Sequence, residues 1–352
     1  MHSSRPKPLH RLCGRPMVLY VLDALAELPV DRVVVVVGHG RELVTKTLGD
    51  ESPSGLAIEL VEQTEQRGTG DAVAVALTGL PEALTVDEDG DVLILPGDAP
   101  LVRAPTIAAL VRAHRGADAA ATILTARLDD PSGYSRVVRG KEDRVARVVD
   151  EEHATDDERD IKEVATSIYC FRRSVLAPAL RRLIPANSQG EYFLTDTISV
   201  LHDAGHLVTA LVATDPMEAA GVNDRAQLAV AEAELRDRTN ERWMRRGVTM
   251  VDPERTYVDA AVELGVDVTL YPGVLLQGRC RLGPGAHVGP DAHLVDALVG
   301  AGARIWQSSC RQCEIGPGAQ VGPFAVLEPG SVVPEGSITG PFYVGHQPGG
   351  EL

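Results

Sequence analysis

Four short segments carry side chains whose types and spacing suit phosphate chemistry. Arg5-Pro6-Lys7-Pro8-Leu9-His10 puts a lysine just ahead of the first predicted helix, where a cation can meet a phosphate. The stretch Gln63-Thr64-Glu65-Gln66-Arg67-Gly68-Thr69-Gly70 puts a Gly-x-Gly turn at a helix start. Free backbone N–H groups there can hold an anion or the edge of a base. Pro96-Gly97-Asp98-Ala99-Pro100 sets a carboxylate directly after a β-rich run. Ligands of open α/β sheets bind at the carboxyl ends of strands, so Asp98 is a candidate metal ligand. Gly221-Val222-Asn223-Asp224 offers an amide oxygen and a second carboxylate. Each segment also has a plainer reading: a solvated lysine, a helix cap, a turn aspartate and an N-cap asparagine.

These residues need a scaffold, and the first part of the chain supplies an α/β pattern. Up to about residue 222, β-rich runs alternate with helical stretches. Strands are predicted at 32–37, 57–61, 92–95, 119–124 and 167–171, and helices at 15–28, 69–77 and 104–114. The unbroken valine run at 33–37 reads as a central strand buried on both faces. Residues 224–246, rich in Ala, Glu, Arg and Leu, read as a connecting arm helix, with Asn223 or Asp224 as N-cap and Gly247 as stop.

From Thr249 the rhythm changes. Aliphatic residues recur every six positions at Leu264, Leu270, Leu276, Leu282, Val288 and Leu294. The register slips, resumes at Val299 and Ile305, again at Ile315, Val321, Leu327 and Val333, and finally at Ile338 and Val344. Such hexads build a left-handed parallel β-helix: three per coil, aliphatic side chains inward, small residues at the corners. The fold class is therefore α/β: a Rossmann-like domain, an arm helix and a short β-helix.

Composition narrows the function. The 352 residues carry 50 acidic and 34 basic side chains, a formal net charge of −16. That balance argues against general binding to nucleic acid or anionic membranes. No apolar run reaches the roughly 20 residues of a membrane span, and the start has no apolar signal-peptide region, so the expected location is cytoplasmic. Five scattered cysteines give no disulfide framework, and Cys310-x-x-Cys313 lacks the second pair a metal site would need.

Taken together and in order, the motifs resemble the bacterial bifunctional N-acetylglucosamine-1-phosphate uridyltransferase/glucosamine-1-phosphate acetyltransferase family. The likeness runs almost end to end. It includes P-K-x-L-H (6–10), Q-x-E-Q-x-G-T-G (63–70), G-D-x-P (97–100), D-D-P-x-G-Y (129–134), A-T-D (154–156), Q-G-E-Y-x-x-T-D (189–196), G-V-N-x-R-x-Q-L (221–228), Asp252-Pro253 and G-P-F-A (322–325). The resemblance implies uridylyl transfer, in which a sugar 1-phosphate attacks the α-phosphorus of UTP and pyrophosphate leaves. It implies Mg²⁺ held by Asp98 and Asn223, with Asp98 also at the nucleotide, and Lys7 as the catalytic cation at the α-phosphate. Gln63, Gly68 and Thr69 would read uracil. Ser135, Asp150, Ala165, Glu191, Thr195 and Asn223 would border the sugar phosphate.

The chain also departs from the family pattern. The family opens with a strand and a glycine-rich phosphate loop, and Met1 falls at the methionine that ends this loop. A chain starting there is expected to leave a gap in its sheet, to fold poorly and to catalyse weakly, unless its true start lies upstream. On the sugar side, Tyr-Gly-Arg becomes Tyr134-Ser135-Arg136, a glutamate becomes Asp150, and E-x-N-x-G becomes Glu163-Val164-Ala165-Thr166-Ser167. Pro96 and Phe193 stand where the family has tyrosines. Acetyl transfer is expected to be absent. An arginine before Pro-Gly is Glu328, and the lysine-rich V-E-x-K-K is replaced by Tyr343-Val344-Gly345-His346-Gln347.

The expected organisation is a nucleotidyltransferase domain at 1–222, the arm helix at 223–247, a truncated β-helix at 248–345 and a tail at 346–352. A homotrimer formed through the β-helix is the expected assembly. The expected reaction makes UDP-N-acetylglucosamine for cell-wall precursors. Transfer to another sugar 1-phosphate, or a non-catalytic paralogue binding nucleotide or a protein partner, are the alternatives.

Overall fold

A computed structural model of the protein describes residues 1, 3–38, 40–80, 90–185 and 190–345. The predicted tail and the motif residues Gln189, His346 and Gln347 lie outside the described residues. The chain divides into two compact units. One joins Met1–His10 to Pro16–Gln227, and the other joins Arg11–Arg15 to Leu228–Leu352.

In the first unit, the ten-residue strand Glu163–Arg172 organises the main sheet. It pairs antiparallel with Ala121–Arg127 along one edge, and with Asp91–Ile94 and the start of Arg136–Arg139 along the other. Val145–Val149 extends the sheet beyond Arg136–Arg139, and Val208–Val212 pairs parallel with Ala121–Arg127. Arg136–Arg139, Val145–Val149 and Val208–Val212 are strands that the sequence pattern did not predict. The predicted strands and helices are all found, with ends shifted by a few residues.

The valine run is the exception in its surroundings. Val33–Val37 is a strand, but it pairs only with Ile58–Glu62, parallel, in a separate two-stranded sheet. It is an edge strand among the described residues, and its three middle valines are half-buried rather than enclosed on both faces. Asp91–Ile94 likewise has one paired edge. The two pieces share one apolar core, in which Val33 and Val37 pack with Leu22, Ile107, Leu110, Leu124 and Ile168.

The second unit includes most of the helix Arg225–Met244, which buries Ala231, Leu235, Asn240 and Trp243. Asp224 is its N-cap, accepting the Gln227 N–H at 2.8 Å, and Gly247 ends it at φ +92°. Beyond it, two- and three-residue strands stack into three parallel sheets, the sides of a β-helix. Its inward column is Leu270, Val288, Ile305 and Val321 on one side, Leu276, Leu294, Cys310 and Leu327 on the next, and Leu282, Val299, Ile315 and Val333 on the third. The later register slip, between Ile305 and Ile315, is thereby explained. Cys310 fills the inward slot between Ile305 and Ile315, and the steps around it are five residues rather than six. Cys310 and Cys313 are buried free thiols of this core.

The last two expected hexads do not continue the column. Ile338 bridges to outward-facing Gln320 and is 69% exposed, and Val344 aligns with outward-facing Val326, leaving Gly345 opposite Leu327. The displaced register turns both side chains outward. Ile305→Ala, at a fully buried position, should therefore cost about 2–5 kcal/mol, whereas Ile338→Ala should stay within about 0.5 kcal/mol. Urea melts of the two variants check the difference.

Candidate functional site

All the predicted site residues belong to the first unit, and the structure gathers them into three groups. The first forms around Lys7, which opens a short 3₁₀ turn fixed by the prolines at positions 6 and 8. Its ammonium donates to Asn223 Oδ1 at 2.6 Å and forms an ion pair with Asp98. The Val222 N–H donates to the Asp98 carbonyl at 2.9 Å, tying the two loops together. Two oxygen donors from distant segments thus converge on one cationic point. That hard-donor set fits a divalent ion of the Mg²⁺ kind, which takes one or two carboxylate or amide oxygens and fills its remaining positions with water and phosphate.

The second group is a stitched pair of loops. Gln63 Nε2 donates to Asp71 Oδ2 at 2.8 Å and to the Gly68 carbonyl at 3.2 Å. The turn is sewn to residues 191–194 on both sides of Gly68. Tyr192 N–H donates to the Arg67 carbonyl at 2.7 Å, and Gly70 N–H donates to the Tyr192 carbonyl at 2.7 Å. The Leu194 N–H donates to Thr69 Oγ1 at 3.0 Å. Gly68 has φ +97° and ψ 178°, a region that only glycine enters readily. The turn also lies beside the end of the valine strand, whose Val37 carbonyl accepts the Gln63 N–H at 2.9 Å.

The third group lies along the main sheet. Ser135 Oγ donates to Asp150 Oδ1, and the Ala165 N–H donates to the Ser135 carbonyl at 2.9 Å. Asp150 also acts at a distance on Asp196. Burial first, and the Asp150 charge second, push the Asp196 carboxyl above its ordinary range, while His153 opposes the shift. Thr195 stands at the N-cap of the helix Asp196–Asp203, yet its hydroxyl makes no cap hydrogen bond. Glu191 adjoins the Gly68 turn, its Cβ 3.0 Å from where a β-carbon on Gly68 would sit. Residues 191–196 thus link the second and third groups. The sequence pattern gave no role to Asp71, which holds Gln63, or to Asp196, on which Asp150 acts. Asp71 sits two residues after the Gly68-Thr69 turn, a signal the spacing offered.

Glu163, in the altered E-x-N-x-G stretch, anchors the floor of this region. Arg139 donates to both its carboxylate oxygens, at 2.9 and 2.7 Å, and Thr125 adds a bond of 2.8 Å. Burial pushes this carboxyl up, but the Arg139 and Thr125 bonds outweigh it, so it stays below its ordinary range. A carboxyl lowered by folding stabilises above its unfolded pKa and loses that contribution as pH falls through the folded value. Arg139→Met leaves the buried carboxylate unpaired. It should cost about 3 kcal/mol at neutral pH and remove part of the stability lost on acidification. Urea melts at pH 7 and pH 4 test both.

Residues 2–243 match the nucleotidyl transferase family. The bifunctional protein GlmU of Desulfitobacterium hafniense (strain DSM 10664 / DCB-2) is 41% identical over 342 residues, covering 97% of this chain and 73% of that protein. GlmU of Caldanaerobacter subterraneus subsp. tengcongensis is 39% identical over 333 residues, 95% of this chain and 70% of that one. GlmU of Streptomyces avermitilis is 43% identical over 332 residues, 94% and 67% respectively. Among the described residues, no helix is long and apolar enough to cross a membrane. The chain belongs to the bifunctional GlmU family, and its first unit is a nucleotidyl transferase domain.

Proposed function

We propose that the chain transfers a uridylyl group from UTP to N-acetylglucosamine 1-phosphate, with Mg²⁺, giving UDP-N-acetylglucosamine and pyrophosphate, and that it does not transfer acetyl groups. The observation that carries the reading is the meeting of Lys7, Asp98 and Asn223 at one cationic point. Asp98 and Asn223 would hold Mg²⁺, which supplies charge neutralisation at the triphosphate. Lys7, released from their oxygens, would turn to the α-phosphate. There its point charge stabilises the transition state as the sugar-phosphate oxygen bonds to the α-phosphorus and the bond to pyrophosphate breaks. Positioning does the remaining work, and no protein nucleophile is required.

Gln63, Gly68 and Thr69 would hold the uracil. Both amide hydrogens of Gln63 are engaged, which leaves its carbonyl oxygen to accept from the base. Ser135, Asp150, Ala165, Glu191 and Thr195 would line the sugar phosphate. We further propose a cytoplasmic protein, functional divisions at 1–222, 223–247 and 248–345, and a homotrimer formed by the β-helix. Pyrophosphate release that requires UTP, Mg²⁺ and the sugar phosphate together tests the reading. Release without the sugar phosphate, or none, refutes it.

One observation favours a second reading, the same transfer to a different sugar 1-phosphate. The Ser135 hydroxyl already occupies one Asp150 oxygen, so that carboxylate has less to offer a sugar hydroxyl. Ser135→Gly frees the oxygen and should lower KM for N-acetylglucosamine 1-phosphate by about tenfold, the scale of one hydrogen bond, with kcat changed much less. An unchanged KM would take Ser135 out of the sugar site.

A further inference from the structure

A second cluster of donors stands at the other end of the strand that leads to Asp98. Asp91, His114 and Cys170 bring a carboxylate oxygen, an imidazole nitrogen and a thiol sulfur within 4.8 Å of one another. The strand register and the covering helix bring them together. Cys170 lies between Leu93 and Thr122 across the two neighbouring strands. Asp91, two residues before Leu93, shares their face. The helix Ala104–Gly116 covers that face with Ile107, Leu110 and His114.

We infer that Asp91, His114 and Cys170 form a binding site for a zinc-class divalent ion, separate from the Mg²⁺ position proposed at Asp98. The donor set is the first argument. Thiol sulfur and imidazole nitrogen select zinc-like ions over Mg²⁺, which takes oxygen. The second is spacing. His114 Nε2 and Asp91 Oδ1 are 3.4 Å apart, longer than a good charge-assisted hydrogen bond. That separation is close to the edge of about 3.3 Å between two ligand atoms sharing a tetrahedral ion at 2.0–2.1 Å.

The third argument is the support behind the ligands. His114 Nδ1 meets the Thr122 hydroxyl at 2.9 Å, and Thr122 meets Thr209 at 2.9 Å. Nε2 is thereby turned toward the cluster, the orientation that a ligating histidine takes from its outer partner. Arg115 Nε holds the other Asp91 oxygen at 2.5 Å and fixes the carboxylate. Cys170 and His114 are buried, whereas the Asp91 carboxylate is partly exposed, which leaves an approach from solvent. Loaded, the ion would pin the helix Ala104–Gly116 to two strands.

The test uses the whole chain, stripped with a chelator and titrated with Zn²⁺ alone. One zinc per chain is expected, with a raised melting temperature. Affinity should fall at least about 100-fold in Cys170→Ala and Asp91→Asn, since even outer-shell losses cost 10–100-fold. Zinc-edge absorption of the unmodified protein gives a readout free of any folding defect in the variants. One sulfur and lighter N/O neighbours per zinc are expected. No zinc bound, a loss under tenfold in Cys170→Ala, or zero or several sulfurs around the ion would overturn the site.

Discussion

Asp98→Asn should reduce Mg²⁺-dependent turnover by about 10³-fold, the upper end of what a single transition-state charge partner supplies. The substitution keeps shape and removes charge. Lys7 retains its bond to Asn223, so the loops stay joined and the melting temperature should move only a few degrees. A partly exposed ion pair such as Lys7–Asp98 contributes little to folding, on the order of 1 kcal/mol at most. A large kinetic loss with a small stability change would assign Asp98 to the reaction. Activity within tenfold of the parent would remove it from the metal position.

Gly68→Val should be the most damaging single change to the nucleotide side, lowering stability by about 3–5 kcal/mol. Two costs combine. The backbone at φ +97°, ψ 178° is strained for any residue with a β-carbon, by about 1–3 kcal/mol. That β-carbon would also sit 2.6 Å from the Tyr192 carbonyl oxygen and 2.9 Å from its nitrogen. Relief means parting the Arg67–Tyr192 and Gly70–Tyr192 hydrogen bonds, each unmade bond costing about 1–3 kcal/mol where the groups are shielded from water. Gly205 is the control, since its φ is +82° and nothing lies within 4 Å of the site of a β-carbon. Gly205→Ala should cost only about 1–2 kcal/mol. Equal losses in the two variants would mean that strain alone, and not the stitch to Tyr192, governs the turn.

The residues differ in how far the sequence revealed them. Period and punctuation disclosed most of the scaffold. The six-residue recurrence from Leu264 placed the β-helix column, and Asp224 and Gly247 bounded the long helix. Cys310 escaped because a thiol in an inward slot interrupts an aliphatic pattern. Ile338 and Val344 misled because a hydrophobic residue at the right count can still face outward once the register moves by one. The valine run misled for a related reason, since composition indicates burial but not how many neighbours a strand has. At the site, Lys7, Asp98 and Asn223 were individually ordinary, and only their order along the chain drew attention to them. Contacts such as Ser135 with Asp150, or the Gly68 turn with Tyr192, join segments far apart in sequence and leave no periodic trace. Ser167 takes φ +59° where the family pattern has glycine, a strained position visible only once the backbone is known.

The most direct measurement follows pyrophosphate released from UTP by the purified chain, with Mg²⁺ and N-acetylglucosamine 1-phosphate, beside Asp98→Asn and a panel of other sugar 1-phosphates. Uridylyl transfer at the Lys7–Asp98–Asn223 centre predicts release that needs nucleotide, metal and sugar phosphate together and that disappears in Asp98→Asn. Bound UTP with no Mg²⁺-dependent release for any sugar phosphate, or release indifferent to Asp98→Asn, would contradict it.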